Sequence, residues 1–349
     1  MISTQPILSF RYFKFKKNKL AENVKRLFYL SWEDAFWDIL LKKKVPKGSY
    51  VLLPDFFCGD VESNIRLHGC KPVYYKINTN LTADKKSFKS KIDRVKPSVI
   101  VIFHPVGIKS NLMDDLKWLK KITGSSILIE DSVHRIVDPE EIKIFKKDHF
   151  IIDSLRKVVP LQGSNIYGRV EDLDFSAPPF YQSFFYSIRV NLLWALMVLG
   201  WSLRFGRIAE RLMLRGYSLI GDSMLPARGP FPANFLSSRI NTGEIRDIRK
   251  HQAIYYEKEL GKFLPVKISL SGEDRASLRA YPVILDKEYA GWILKFLRTN
   301  DLLVRFELND SGWSRKQKII YLPLGIQMTE KEQGTVCGLV KSALLGYRA

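Results

Sequence analysis

Over its first 165 residues the chain alternates short, nearly continuous apolar runs with stretches whose apolar positions recur at helical spacing. No other feature limits the fold as much. YVLLP at 50–54, PVYY at 72–75, SVIVIFH at 98–104, SILIED at 126–131 and FIIDS at 150–154 read as strands. Helical patterns at 33–43, 59–68, 84–92 and 112–122 separate them, and Gly69 and Gly124 close two of these helices. Strands interleaved with helices of this length predict βαβ units and a mainly parallel sheet. Strands apolar on both faces predict a sheet covered on both sides. Ligands of such sheets collect beyond the carboxyl ends of the strands. His104, Asp131 and Ser154 stand at strand ends in this reading, and Lys157 follows at once.

Residues 178–232 break the pattern. The uncharged stretch 190–203 holds 14 residues, fewer than the roughly 20 of a membrane-spanning helix. Arg189 and Arg204 bound it, with Arg207, Arg211 and Arg215 beyond. This suits either a helix lying at a membrane interface or a helical hairpin packed on the protein or on a partner subunit. Three prolines and two glycines in 221–233 predict a loop. Regular patterns return in the last third: helices at 242–260, 287–298 and 330–345, and strands at 281–285 and 319–324. The expected organisation is a large α/β domain over 20–240, carrying the basic, hydrophobic helical insertion at 178–232, and a small α+β domain over 241–349. With 349 residues, 46% of them hydrophobic, both cores can form.

Fifty-six Lys and Arg against 36 Asp and Glu give a formal charge of +20, which favours anionic partners: nucleic acid, anionic lipid or phosphorylated small molecules. A lysine-rich solvated surface is the plainer reading. No helix-turn-helix, zinc-finger or RNP motif supports nucleic acid. Cys58, Cys70 and Cys337 form no CxxC pair, and the five histidines are scattered, so no metal site is expected and the setting is a reducing one. Residues 1–19 lack the apolar core of a signal peptide, so a cytoplasmic protein is expected.

The segment with most chemistry is SLRKVVPLQG, 154–163, because an aspartate, Asp131, ends another strand 26 positions earlier. A primary amine forms an exchangeable Schiff base with an aldehyde. A carboxylate facing a pyridine nitrogen keeps it protonated, which makes the ring an electron sink. The plainer readings are a surface lysine and an aspartate capping a turn.

In this combination the sequence resembles the fold-type-I pyridoxal-phosphate enzymes, in particular the DegT/DnrJ/EryC1/StrS sugar aminotransferases. The resemblance runs from about residue 25 to the end and is poorest over 171–235. LSWEDAF (30–36) stands at the family's turn into a helix, and KGSYVLLPDFFCGDVESNIRLHGCKPVYYKI (47–77) is similar to the stretch that follows it. VIFHPVG (101–107), ILIEDSVH (127–134) and DSLRKVVPLQG (153–163) follow in order, and YPVIL and IIYLPLG are similar to small-domain strands.

The resemblance implies a mainly parallel seven-stranded sheet, pyridoxal 5'-phosphate as cofactor, and a homodimer with sites near its interface. Lys157 matches the Schiff-base lysine and proton shuttle, Asp131 the partner of the ring nitrogen, and Ser154 a phosphate ligand. His134 stands where relatives place a Gln or His beside the phenolic oxygen. His104 matches a strand-end histidine near the cofactor; Arg156, read on its own, is either a surface residue or a help to an anionic substrate or phosphate. Amides around Ser31, Trp32 and Glu33, at a helix N-terminus, would take the phosphate.

Two positions depart from the pattern. Trp32 replaces a glycine, and an indole crowds the approach to phosphate. The stacking aromatic maps to Cys58, with Phe57 adjacent. The implied function is transfer of an amino group from an amino acid to a keto sugar, nucleotide-linked, in surface-glycan or related biosynthesis. The diphosphate would suit the basic surface, and the arginine-flanked segment could hold the enzyme at the inner face of the cell membrane. The competing reading is an inactive or repurposed homologue that serves as a binding subunit.

Overall fold

A computed structural model describes residues 2–221 and 226–348. In chain order its elements are β1 (Ile2–Ser3), β2 (Val24–Tyr29), α1 (Trp32–Lys42), β3 (Tyr50–Pro54), α2 (Gly59–Leu67), β4 (Lys71–Tyr75), α3 (Lys85–Val95), β5 (Val99–Phe103), α4 (Leu116–Thr123), β6 (Ile127–Asp131), β7 (His149–Ile152) and β8 (Ser164–Arg169). The second half holds α5 (Phe184–Ser202), α6 (Gly206–Gly221), α7 (Phe231–Ser237), α8 (Thr242–Leu260), α9 (Gly272–Ser277), β9 (Tyr281–Asp286), α10 (Lys287–Thr299), β10 (Leu302–Leu303), β11 (Gln317–Leu322) and α11 (Glu330–Arg348).

Seven strands form the main sheet in the order β2-β8-β7-β6-β5-β3-β4. The five from β3 to β7 run parallel, and the β8 pairings with β7 and β2 are antiparallel. β5 and β7 are buried at every position, as a sheet covered on both faces requires. β9 and β11 pair antiparallel in the C-terminal part, and the short β1 crosses to pair with β10. One hydrophobic cluster runs from Phe36 and Ile100 through Tyr256 and Ile320, so main sheet and C-terminal elements share a core.

Three expectations need correction. The helix foreseen at 112–122 is broken at Asp115, whose side chain accepts a hydrogen bond from the Trp118 N–H at 2.9 Å and caps α4, which starts only at Leu116. The loop foreseen at 221–233 gives way to helix at Phe231, where Pro232 fits the first turn; residues 222–225 of it lie outside the described residues. The apolar helix of the insertion extends well beyond the uncharged stretch: Phe180–Ser202, 23 residues, is long and apolar enough to cross a membrane by length and composition alone.

Candidate functional site

Beyond the carboxyl ends of β6 and β7, one cleft is lined by Trp32, Glu33, Phe57, Cys58, Asp131, His134, Ser154, Arg156 and Lys157, with Tyr217 of α6 at its side. Asp131 is the last residue of β6. Lys157 ends a tight turn, Leu155–Lys157, that leaves β7 through Asp153 and Ser154. Parallel neighbours end on the same side of a sheet, so adjacent strands deliver an amine and a carboxylate to one place.

Asp131 is almost wholly buried, and one oxygen accepts the Val133 N–H at 3.0 Å. Burial pushes its carboxyl up to about 7, against the pull of that hydrogen bond and of Lys157, while Glu33 raises it further. The Trp32 indole N–H lies near enough to favour the charged form yet completes no hydrogen bond.

Lys157 Nζ donates to His134 Nε2 at 3.1 Å. Arg279 donates to the same nitrogen at 3.2 Å, and Tyr321 Oη lies 3.4 Å from Nδ1. Burial and then the Lys157 charge push the imidazole down to about 3. His134 is therefore a neutral acceptor that orients the lysine. Glu307 reaches Arg279 at 2.8 Å and stands 3.9 Å from Lys157 Nζ. Burial would raise the Glu307 carboxyl; the Arg279 guanidinium first, and the Lys157 ammonium with it, hold it well below the usual range. Gly107, at φ +103, makes the approach beneath His134 possible: a Cβ there would meet the carbonyls of His134 at 2.5 Å and Ser277 at 2.6 Å.

The other end of the cleft is the N-terminus of α1. Ser31 is committed to the helix itself: its Oγ accepts the Asp34 N–H at 3.1 Å and donates to the Asp34 carboxylate at 2.6 Å. It does not line the cleft. Trp32 stacks on Phe36 with centroids 5.0 Å apart and meets Phe57 edge-on at 6.1 Å. Among the described residues, Glu33 Oε2 and Trp32 Nε1 are buried without a hydrogen-bond partner. Phe57 reaches the cleft, as does Cys58, whose thiol burial pushes up to about 12, with Asp60 adding to the effect; a thiol held neutral is a poor nucleophile. His104 stands apart. It holds Glu130 at 2.8 Å through Nε2 and the Ser110 N–H at 3.0 Å through Nδ1, a buried polar cluster outside the cleft.

The strongest sign of an anionic ligand is Arg156. It is 6% exposed, and its Nε and Nη1 have no hydrogen-bond partner among the described residues. The faces of Trp194 and Tyr217 lie against it, at 5.2 and 4.7 Å. The Tyr217 phenol is lowered although burial opposes it, because Arg156, Lys157, Arg279 and Arg305 surround it. A buried guanidinium with free donors is costly unless an anion completes it.

The donor set thus fits pyridoxal phosphate. Lys157 would hold the aldehyde, Asp131 the ring nitrogen, and Ser154 with Arg156 the phosphate. The fit is tight at Trp32. The cleft offers about 50 Å³, room for a few water molecules, and the Trp32 indole lines it. Four groups of the site escaped the sequence reading. Arg279 and Tyr321 flank or lie in strands that were foreseen, but Glu307 and Tyr217 carry no local signal. Among the described residues no group of three or more His, Cys, Asp or Glu could hold a metal ion.

No family model matches the sequence, and no curated protein matches it. Solved structures do. The chain is similar to a DegT DnrJ EryC1 StrS aminotransferase from Brucella abortus, at 13% identity and TM-score 0.59 over 91% of this chain and 85% of that one. It is similar to the PLP-form of the putative sugar aminotransferase Spr1654 from Streptococcus pneumoniae, at 15% identity and TM-score 0.60 over 92% and 87%. It is also similar to the histidinol-phosphate aminotransferase from Clostridium acetobutylicum, at 14% identity and TM-score 0.59 over 93% and 85%. The chain has the fold of these aminotransferases, a mixed seven-stranded sheet with a smaller α+β part.

Proposed function

We propose that this chain, built on the fold it shares with those aminotransferases, binds pyridoxal 5'-phosphate and moves an amino group from an amino acid donor to an anionic keto substrate, a nucleotide-linked keto sugar. The observation that carries the reading is Lys157 and Asp131 lining one cleft from the ends of adjacent parallel strands.

When bound, the cofactor supplies an aldehyde that carries the amino group and a ring that draws electrons from the bond to be broken. The chain's own groups do the rest. Asp131 would hold a proton on the ring nitrogen. The free amine of Lys157 would move a proton to and from the reacting carbon. His134 accepts the Lys157 N–H and keeps the amine aimed into the cleft. Arg279, held by Glu307, adds positive charge at the same nitrogen. Arg156, Arg279 and Arg305 around Tyr217 support an anionic substrate; the keto sugar is proposed from the likeness to a putative sugar aminotransferase, and the nucleotide linkage extends that proposal.

The test is spectral. Protein incubated with the cofactor should gain the visible absorbance of a lysine-bound aldehyde, lose it on Lys157→Ala, and convert to the amine form with a competent amino donor. A second reading, a remodelled fold that no longer takes cofactor, is favoured by Trp32 and Glu33 in the cleft. Protein that stays colourless with excess cofactor would establish it.

A further inference from the structure

The helix α5 is apolar around its circumference, which is ordinary for a helix buried on all sides or immersed in lipid. Here one side is open. Its inner face, with Val190, Trp194, Met197 and Trp201, packs on Ala209 and Met213 of α6 and on Leu30. Its outer face presents Phe184, Phe185, Ile188, Leu192, Leu196 and Leu199, between 42% and 85% exposed. At 3.6 residues per turn these six fall within an arc of about 120°. The patch is continuous along the helix, far from the scattered single apolar residues of an ordinary surface.

Charge accompanies it. Residues 180–221 contain five arginines and one acid, Glu210, and Glu210 is already paired with Arg298 at 2.9 Å. Arg207, Arg211 and Arg215 lie exposed on α6. A closed two-fold pairing with a second copy through this face would bring like charges together. An anionic lipid surface matches both parts, taking the apolar stripe into the acyl boundary and the arginines at its headgroup phosphates. A full span does not suit α5, because its inner face is already packed on the protein body.

We propose that the α5–α6 hairpin docks the protein flat on an anionic membrane, with the Phe184-to-Leu199 face of α5 immersed and the α6 arginines at the headgroups. The opposite side of the hairpin carries Trp194 and Tyr217 onto Arg156, so the docking face and the cleft belong to one element.

The experiment is flotation of the full chain with vesicles of phosphatidylglycerol in phosphatidylcholine, beside phosphatidylcholine alone. Binding to the anionic vesicles should be tighter by on the order of a hundredfold at low salt, from about 1 kcal/mol for each of the three arginines. Leu192→Glu with Leu196→Glu, both at solvent-facing positions, should abolish binding while circular dichroism and melting stay unchanged. Arg207→Gln with Arg211→Gln should keep weak binding and cut the anionic preference from on the order of a hundredfold to about fivefold. Three results would overturn the proposal: no binding to anionic vesicles, binding indifferent to the two leucine changes, or those changes splitting a homodimer that itself ignores vesicles.

Discussion

The two ends of the cleft were built to different rules. At the ends of β6 and β7, Asp131 and His134 are buried and Lys157 is partly buried; Lys157 and Arg279 both donate to His134, and Glu307 pairs with Arg279. They are costly in an empty site and useful in a filled one. At the N-terminus of α1 the helix has satisfied itself. Ser31 and Asp34 cap each other, the Asp34 carboxylate also accepts the Ala227 N–H at 3.0 Å, and Glu33 and Asp34 place negative charge on the first turn. The positive end of the helix dipole, elsewhere a ready host for phosphate, is answered by its own side chains. On the proposed reading the fold keeps its amine-and-carboxylate end, and the anion end would be Arg156, whose buried Nε and Nη1 have no hydrogen-bond partner among the described residues.

The sharpest way to break this comparison is Lys157→Ala, which should reduce cofactor colour and amino transfer to background while melting temperature changes little. Asp131→Asn comes next. It should leave cofactor colour but cut transfer by roughly 10²–10⁴-fold. Its stability signature has a definite sign. A carboxyl raised to about 7 holds its proton in the folded state, so its contribution is present at low pH and lost as pH rises through 7. Asp131→Asn should thus stabilise the cofactor-free protein above pH 7, by at most about 4 kcal/mol, and leave it unchanged near pH 4; thermal melts across that range check this.

Arg156→Gln should weaken cofactor binding by roughly 10–100-fold, the loss of a charge-assisted hydrogen bond of about 1.5–3 kcal/mol, measured by titration of the visible band. If it has no effect, the anion end is not Arg156. The smallest change is expected from Glu33→Gln, which removes a buried negative charge from the α1 end and should tighten cofactor binding by a fewfold. Weaker binding instead would make Glu33 a ligand rather than an obstacle.

What the sequence carried is what local pattern can encode. Continuous apolar runs told the buried parallel strands from the helices and put Asp131 at one strand end and Lys157 just past another; that the two strands are neighbours came from the sheet. β2 and β8 went unread, because VKRLFY and SNIYGR mix charge, glycine and aromatics as sheet-edge pairs do. Tertiary structure alone decided which groups surround the amine. Glu307 and Arg279 lie more than a hundred residues from Lys157 in the chain, and whether they meet it depends on how the C-terminal elements dock. It also decided that His104 turns to Glu130 rather than to the cleft, that Ser31 spends its hydroxyl on Asp34, and that one side of α5 stays open. Periodicity is a property of neighbours along the chain, whereas burial, pairing and field at a site are set by residues that only folding brings together.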